Sequence, residues 1–165
     1  MIPRIRTLAP RDKTAVMTIL RKSEQFELFE LDVAEEVIND YLRDPINSGY
    51  HVAVAEMESA IEGYICYGPT PLTKGTWDIY WIAVTPKSRK QGIGKQLMSY
   101  AEYNVEKAGG RLIIVETSSK SSYDDTNNFY RDLGYKEICR IADFYAPKDD
   151  KIMYQKKITA KTASS

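Results

Sequence analysis

One segment constrains this chain more than any other: Val84-Thr85-Pro86-Lys87-Ser88-Arg89-Lys90-Gln91-Gly92-Ile93-Gly94-Lys95. The aromatic and β-branched run over 77–84 reads as a strand, which Pro86 stops. Downstream, Ile93, Leu97, Ala101 and Val105 recur every four residues and predict a helix from about Gly92 to Lys107 with one buried face. A strand, a basic loop and a helix start in this order make an anion site. The first amides of a helix lack intrahelical acceptors, and the helix dipole favours negative charge there. Gly92 and Gly94 remove side chains that would keep an anion at a distance, while Arg89, Lys90 and Lys95 bring positive charge. Leu97 stands where the dinucleotide fingerprint needs its third glycine, and no Gly-x-x-x-x-Gly-Lys-Ser/Thr occurs. Both of those phosphate-binding patterns are therefore unmet.

Around this segment the hydrophobic pattern predicts β-α-α-β-β-β-α-β-α-β-β. A first strand covers 2–8, and a helix opens at Pro10 and Asp12. Asp32 and Glu35 suggest a capping box for a second helix, whose apolar stripe is Val33, Val37, Ile38, Tyr41 and Leu42. Runs over 51–56 and 60–67 flank a turn at Glu58-Ser59 and predict a hairpin. Leu112 to Val115 is a continuous apolar run, expected for a strand covered on both faces. A short helix then carries Phe129, Tyr130 and Leu133 inward and ends at Gly134; two strands, 135–141 and 152–158, close the chain. Mixed order of this kind predicts an α/β fold, about seven strands in a mixed sheet with helices on both faces.

With 165 residues, a single domain over 1–158 is expected, with a frayed polar tail over 159–165. Lys+Arg and Asp+Glu both number 23, so no global field points to nucleic acid. No apolar run reaches membrane-spanning length, and the N-terminus lacks the apolar core of a signal peptide, so a cytoplasmic protein is expected. Cys66 and Cys139 lie in apolar surroundings and read as two buried thiols.

Two motifs resemble a known family. Arg89-Lys90-Gln91-Gly92-Ile93-Gly94 is similar to the Arg/Gln-x-x-Gly-x-Gly/Ala signature of the GNAT acyltransferase superfamily. Asn128-Phe129-Tyr130-Arg131-Asp132-Leu133-Gly134-Tyr135 resembles that family's Phe/Leu-Tyr-x-x-x-Gly-Phe/Tyr segment, at the right separation. The resemblance spans roughly 2–158. It implies the family's acyl-CoA N-acyltransferase fold and acetyl-CoA, or another acyl-CoA, as donor. It puts the pyrophosphate on the backbone of Arg89, Lys90, Gln91, Gly92, Ile93 and Gly94, with Lys95 also on the cofactor. The pantetheine arm would then run beside Ile82, Ala83 and Val84, where strands 77–84 and 112–116 diverge.

The implied reaction is direct attack of an amine on the thioester. A phenol carries its proton at neutral pH, which suits a donor to the departing thiolate. By resemblance that donor is Tyr130; otherwise it is a core aromatic of an amphipathic helix. For the base, Glu116 ends the buried strand run, Asp78 lies on the preceding strand, and a water chain can replace either. Tyr123 occupies the place of the family's usual Asn, so Asn127 or Asn128 is expected to contact the cofactor instead. His51, the only histidine, has no nucleophile elbow near it and reads as structural. Asp124-Asp125 and Asp149-Asp150 read as a helix start or a turn, so no metal site is expected.

The acceptor would meet variable segments: 26–32, 67–75 and 144–150. Their acidic residues, Glu27, Glu30, Asp149 and Asp150 among them, suit a cationic amine: a small molecule, an amino acid or a peptide N-terminus. A non-catalytic acyl-CoA sensor on the same fold, or an enzyme using another phosphorylated ligand such as a nucleotide, are the alternative readings. The resemblance also allows a homodimer.

Overall fold

The structure is a computed structural model and describes residues 1–158, so the tail expectation for 159–165 lies outside the described residues. Its elements are β1 (Arg4–Thr7), α1 (Lys13–Lys22), α2 (Leu28–Arg43), β2 (His51–Met57), β3 (Ala60–Pro69), β4 (Thr76–Val84), α3 (Ile93–Lys107), β5 (Leu112–Ser118), α4 (Asp124–Asp132), β6 (Lys136–Ala146) and β7 (Asp149–Lys157). Strands and helices follow the expected order. The seven strands form one mixed sheet, β1-β2-β3-β4-β5-β7-β6. β4 and β5 are parallel, pairing from Thr76↔Leu112 to Ile79↔Val115. β1–β2, β2–β3, β5–β7 and β6–β7 are antiparallel. Among the described residues no helix is long and apolar enough to cross a membrane.

The fold divides into two compact units: Met1–Gly68 with Tyr80–Ala101, and Pro69–Ile79 with the described residues from Glu102 to 158. In the first unit, Glu58 (φ 47°) and Ser59 (φ 65°) make the two-residue turn of the β2–β3 hairpin. Two successive left-handed residues match the strand twist, which is why a short polar pair suffices there. α1 and α2 bury Val16, Ile19, Leu20, Ala34, Val37 and Ile38 in one core with Val52, Val54, Tyr64 and Cys66. The neighbouring residue, Gly63, faces the other way. A Cβ there would stand 3.0 Å from Leu97 Cδ1 and 3.1 Å from Ile93 Cγ2 of α3. Side chains alternate along a strand, so helices cover both faces of β3.

The start of α2 differs from the sequence expectation. Its capping box is Glu27 and Glu30, with the Glu27 amide donating to Glu30 Oε2 at 2.7 Å. The helix therefore begins more than a turn earlier than an Asp32–Glu35 box would set it. The buried stripe shifts accordingly to Leu31, Ala34, Val37, Ile38 and Tyr41, leaving Val33 46% exposed.

In the second unit, β5 is not covered equally on both faces. Ile113 and Val115 are buried, whereas Leu112 and Ile114 are half-buried. Every residue of β6 is exposed, as befits the last strand in the sheet order. Cys139 lies on this strand, so only Cys66 is a buried thiol, and neither is in a disulfide. Segment 144–150 is no open loop: it is the tip of the β6–β7 hairpin, turning at Pro147 and left-handed Lys148 (φ 65°). Asp149 and Asp150 belong to β7 rather than to a turn.

Candidate functional site

The anion loop lies in the first unit. After β4 the chain makes a 3-10 turn over Pro86–Ser88, and α3 begins at Ile93. Lys90 (φ 61°) and Gly92 (φ 82°) both adopt left-handed backbone. Nothing lies within 4 Å of where a Gly92 Cβ would be, so the approach to its backbone is open. The Gln96 amide donates to Gly92 O at 3.0 Å, the first helical bond of α3. The amides of Ile93, Gly94 and Lys95 therefore occupy the first turn, where no helical carbonyl precedes them. Ile93, Leu97 and Met98 are buried and fix the helix start, while Arg89, Lys90, Gln91 and Gly92 remain exposed. Gln91 Nε2 folds back to donate to Lys87 O at 3.1 Å. Ile82, Ala83 and Val84 end β4 just before the loop.

A carboxylate missed in the sequence secures the upstream half of this loop. Glu62 of β3 is 5% exposed. Its Oε2 accepts from Thr85 Oγ1 at 2.5 Å and from Ser88 Oγ at 2.9 Å, and its Oε1 lies 2.9 Å from Lys87 Nζ. Its backbone carbonyl accepts from the Thr85 amide at 2.8 Å. Burial pushes the Glu62 carboxyl up, but the donors Thr85, Lys87 and Ser88 together outweigh it and hold it below the usual range. The signal was available: one acid inside the apolar run Ile61-Glu62-Gly63-Tyr64-Ile65 must find partners when buried.

The other expected site residues lie in the second unit. The β4–β5 register puts Asp78 opposite Ile114, on the face that also carries Glu116. Asp78 is half-buried, and Thr70 Oγ1 donates to its Oδ2 at 2.6 Å. Burial raises its carboxyl above the usual range and the Glu116 charge adds to this; the Thr70 hydrogen bond and Lys151 offset only part. Glu116 has a side chain 46% exposed and an ion pair with Lys151 Nζ at 3.0 Å.

Tyr130 is 3% exposed and packs among Phe129, Tyr135 and Tyr154, at centroid distances of 5.3, 5.7 and 6.2 Å. Burial pushes its phenol up, with the nearby Tyr123 adding to the effect, so it holds its proton across the neutral range. Asn127, three residues earlier on α4, is 4% exposed. Its Oδ1 accepts from Thr117 Oγ1 at 2.6 Å and Tyr154 Oη at 3.1 Å, and its Nδ2 donates to Ser118 O at 3.1 Å. The side chain thus ties α4 to β5 and β7. Ser118 ends β5 and donates to buried Asp149. His51 stacks on Tyr67 with ring centroids 5.3 Å apart.

Comparison with known proteins bears on the fold and the family. A family model described as Acetyltransferase (GNAT) domain matches residues 48–137. A solved structure from Desulfovibrio desulfuricans, assigned to the GNAT family of acetyltransferases, superposes with a TM-score of 0.92 at 35% identity, covering 95% of this chain and 99% of that one. The chain belongs to the GNAT acetyltransferase family. The same fold recurs at lower identity. The ribosomal-protein-S18-alanine N-acetyltransferase of Escherichia coli gives a TM-score of 0.77 at 17% identity, covering 99% of each chain. An aminoglycoside 6'-N-acetyltransferase complexed with coenzyme A gives 0.76 at 20%, covering 96% and 98%. Comparison with curated proteins returned no match.

Proposed function

We propose that this chain transfers an acyl group, acetyl foremost, from acyl-CoA to a primary amine. The observation that carries the reading is the start of α3, where left-handed Lys90 and Gly92 turn the chain and the Gly92 backbone is open to approach. Such a backbone suits a close oxyanion, and Arg89, Lys90 and Lys95 add charge of the right sign. In this reading the loop takes the pyrophosphate, and Ile82, Ala83 and Val84 offer main chain to the pantetheine arm. Two structures of the same fold are by name N-acetyltransferases, of a ribosomal-protein alanine and of an aminoglycoside. The acceptor proposed here is of the same chemical kind, an amine on a small molecule, amino acid or peptide N-terminus.

Acyl-CoA supplies the activated thioester; the chain must manage two protons. One leaves the acceptor ammonium. Of the two carboxylates on the β4–β5 face, Asp78 suits that task better than Glu116, because its half-burial raises its proton affinity while Glu116 is committed to Lys151. The other proton goes to the departing sulfur, and Tyr130 is the donor, its phenol protonated at neutral pH. Asn127 acts in this reading by fixing α4 beneath Tyr130 rather than by touching the cofactor.

Calorimetric titration with acetyl-CoA tests the reading. Saturable binding to the wild type, lost in an Arg89→Glu, Gly94→Trp double variant, is the expected result. Absence of binding at millimolar ligand by folded wild type would exclude acyl-CoA as the donor.

A further inference from the structure

We infer that Glu62 is the positioning residue of the anion loop: its buried carboxylate grips residues 85–88 and so sets residues 89–94 for a pyrophosphate. The inference rests on the acyl-CoA reading above and adds a residue from outside both family motifs.

Three observations carry it. First, every side-chain partner of this carboxylate given by the structure belongs to the loop: Thr85, Lys87 and Ser88. These contacts span 23–26 residues of sequence, so they tie the loop to β3 and not to the strand or helix it joins. Second, Glu62 and Ser88 are both buried, at 5% and 7% exposure. A buried carboxylate is stable only when paired and hydrogen-bonded, so the contacts are mutually required. Third, the loop carries a non-glycine left-handed residue, Lys90, just beyond the gripped turn and separated from it only by Arg89. Strained backbone persists where its surroundings over-determine it, and the Glu62 clamp fixes the upstream end while buried Ile93 fixes the downstream end. The pairing with Lys87 also offsets the Glu62 charge beside a site for an anion. The hydroxyls of Thr85 and Ser88 are spent on the clamp, which leaves the ligand to the backbone and to Arg89, Lys90 and Lys95.

The test compares two ligands that differ at the pyrophosphate: acetyl-CoA and S-acetylpantetheine, which lacks it. Dissociation constants are measured for wild type, Glu62→Ala and Glu62→Gln, with thermal unfolding recorded for each. Expected is an acetyl-CoA constant weakened on the order of tenfold in Glu62→Ala and largely restored in Glu62→Gln, which keeps an acceptor for Thr85 and Ser88. Binding of S-acetylpantetheine stays unchanged in all three. Equal weakening of both ligands, or an unchanged acetyl-CoA constant, would overturn the inference. Should Glu62→Ala fail to fold, Thr85→Val with Ser88→Ala removes the clamp from the loop side and is read in the same way. Failure of the wild type itself to bind acetyl-CoA would instead overturn the acyl-CoA reading, and this inference with it.

Discussion

Lys151 Nζ lies 3.0 Å from Glu116 Oε1, and this ion pair distinguishes the two carboxylates on the β4–β5 face. Asp78, its neighbour on that face, takes a hydrogen bond from neutral Thr70 and sits in a drier setting. Replacing each acid in turn should separate them. Asp78→Asn is expected to lower kcat/KM by about 10²-fold, the size of a lost general base. Glu116→Gln is expected to cost roughly fivefold at most, since a half-exposed ion pair contributes little. Steady-state kinetics on both variants checks this; the reverse ranking would return the role to Glu116.

The same pair predicts a pH profile. Asp78 titrates above the ordinary carboxylate range, and only its ionised form accepts a proton. Activity should therefore rise with pH through that raised value, giving kcat/KM an acid limb that Asp78→Asn removes. Lys151 lowers the Asp78 value. Lys151→Met should accordingly move the limb to higher pH. A limb that stays in place would show that another group sets it.

Tyr130→Phe deletes one hydroxyl inside an aromatic cluster and keeps the ring packing. A proton donor predicts a fall in kcat of about 10²-fold with an unchanged dissociation constant for acetyl-CoA. Unchanged turnover would make Tyr130 a packing residue and remove the acid from the mechanism.

Asn127→Leu is expected to act on stability. It strips partners from the Thr117 and Tyr154 hydroxyls and from the Ser118 carbonyl, all buried around one side chain. Groups left unsatisfied in this way cost about 1–3 kcal/mol each, so for three groups at the low end of that range a loss of at least roughly 3 kcal/mol is expected. In a domain of this size that lowers Tm by on the order of 10 °C, measurable by thermal unfolding. If Asn127 instead contacted acetyl-CoA, the ligand's dissociation constant would rise with little change in Tm.

Much of this was legible in the chain itself because the signals are local. The four-residue spacing of Ile93, Leu97, Ala101 and Val105 defines the buried face of α3, and all four residues are buried there. Glu58-Ser59 sets the hairpin turn, and Gly92 and Gly134 take the left-handed angles their positions require. These features depend on backbone sterics and periodicity, which act within a few residues. The start of α2 differs because two successive acidic pairs can each make a capping box, and the helix that begins at the first buries Leu31 and Ala34.

What tertiary structure alone decided is which polar groups meet. Glu62 grips residues more than twenty positions away, Asn127 joins three elements, and Lys151 pairs with Glu116 across antiparallel strands. Cys139 is exposed because its strand ends the sheet order, a property of topology and not of its apolar neighbours in sequence. The physical reason is common to all of these. Helix and turn formation respond to nearest neighbours along the chain, whereas burial and proton affinity are set by whatever the fold places within a few ångströms.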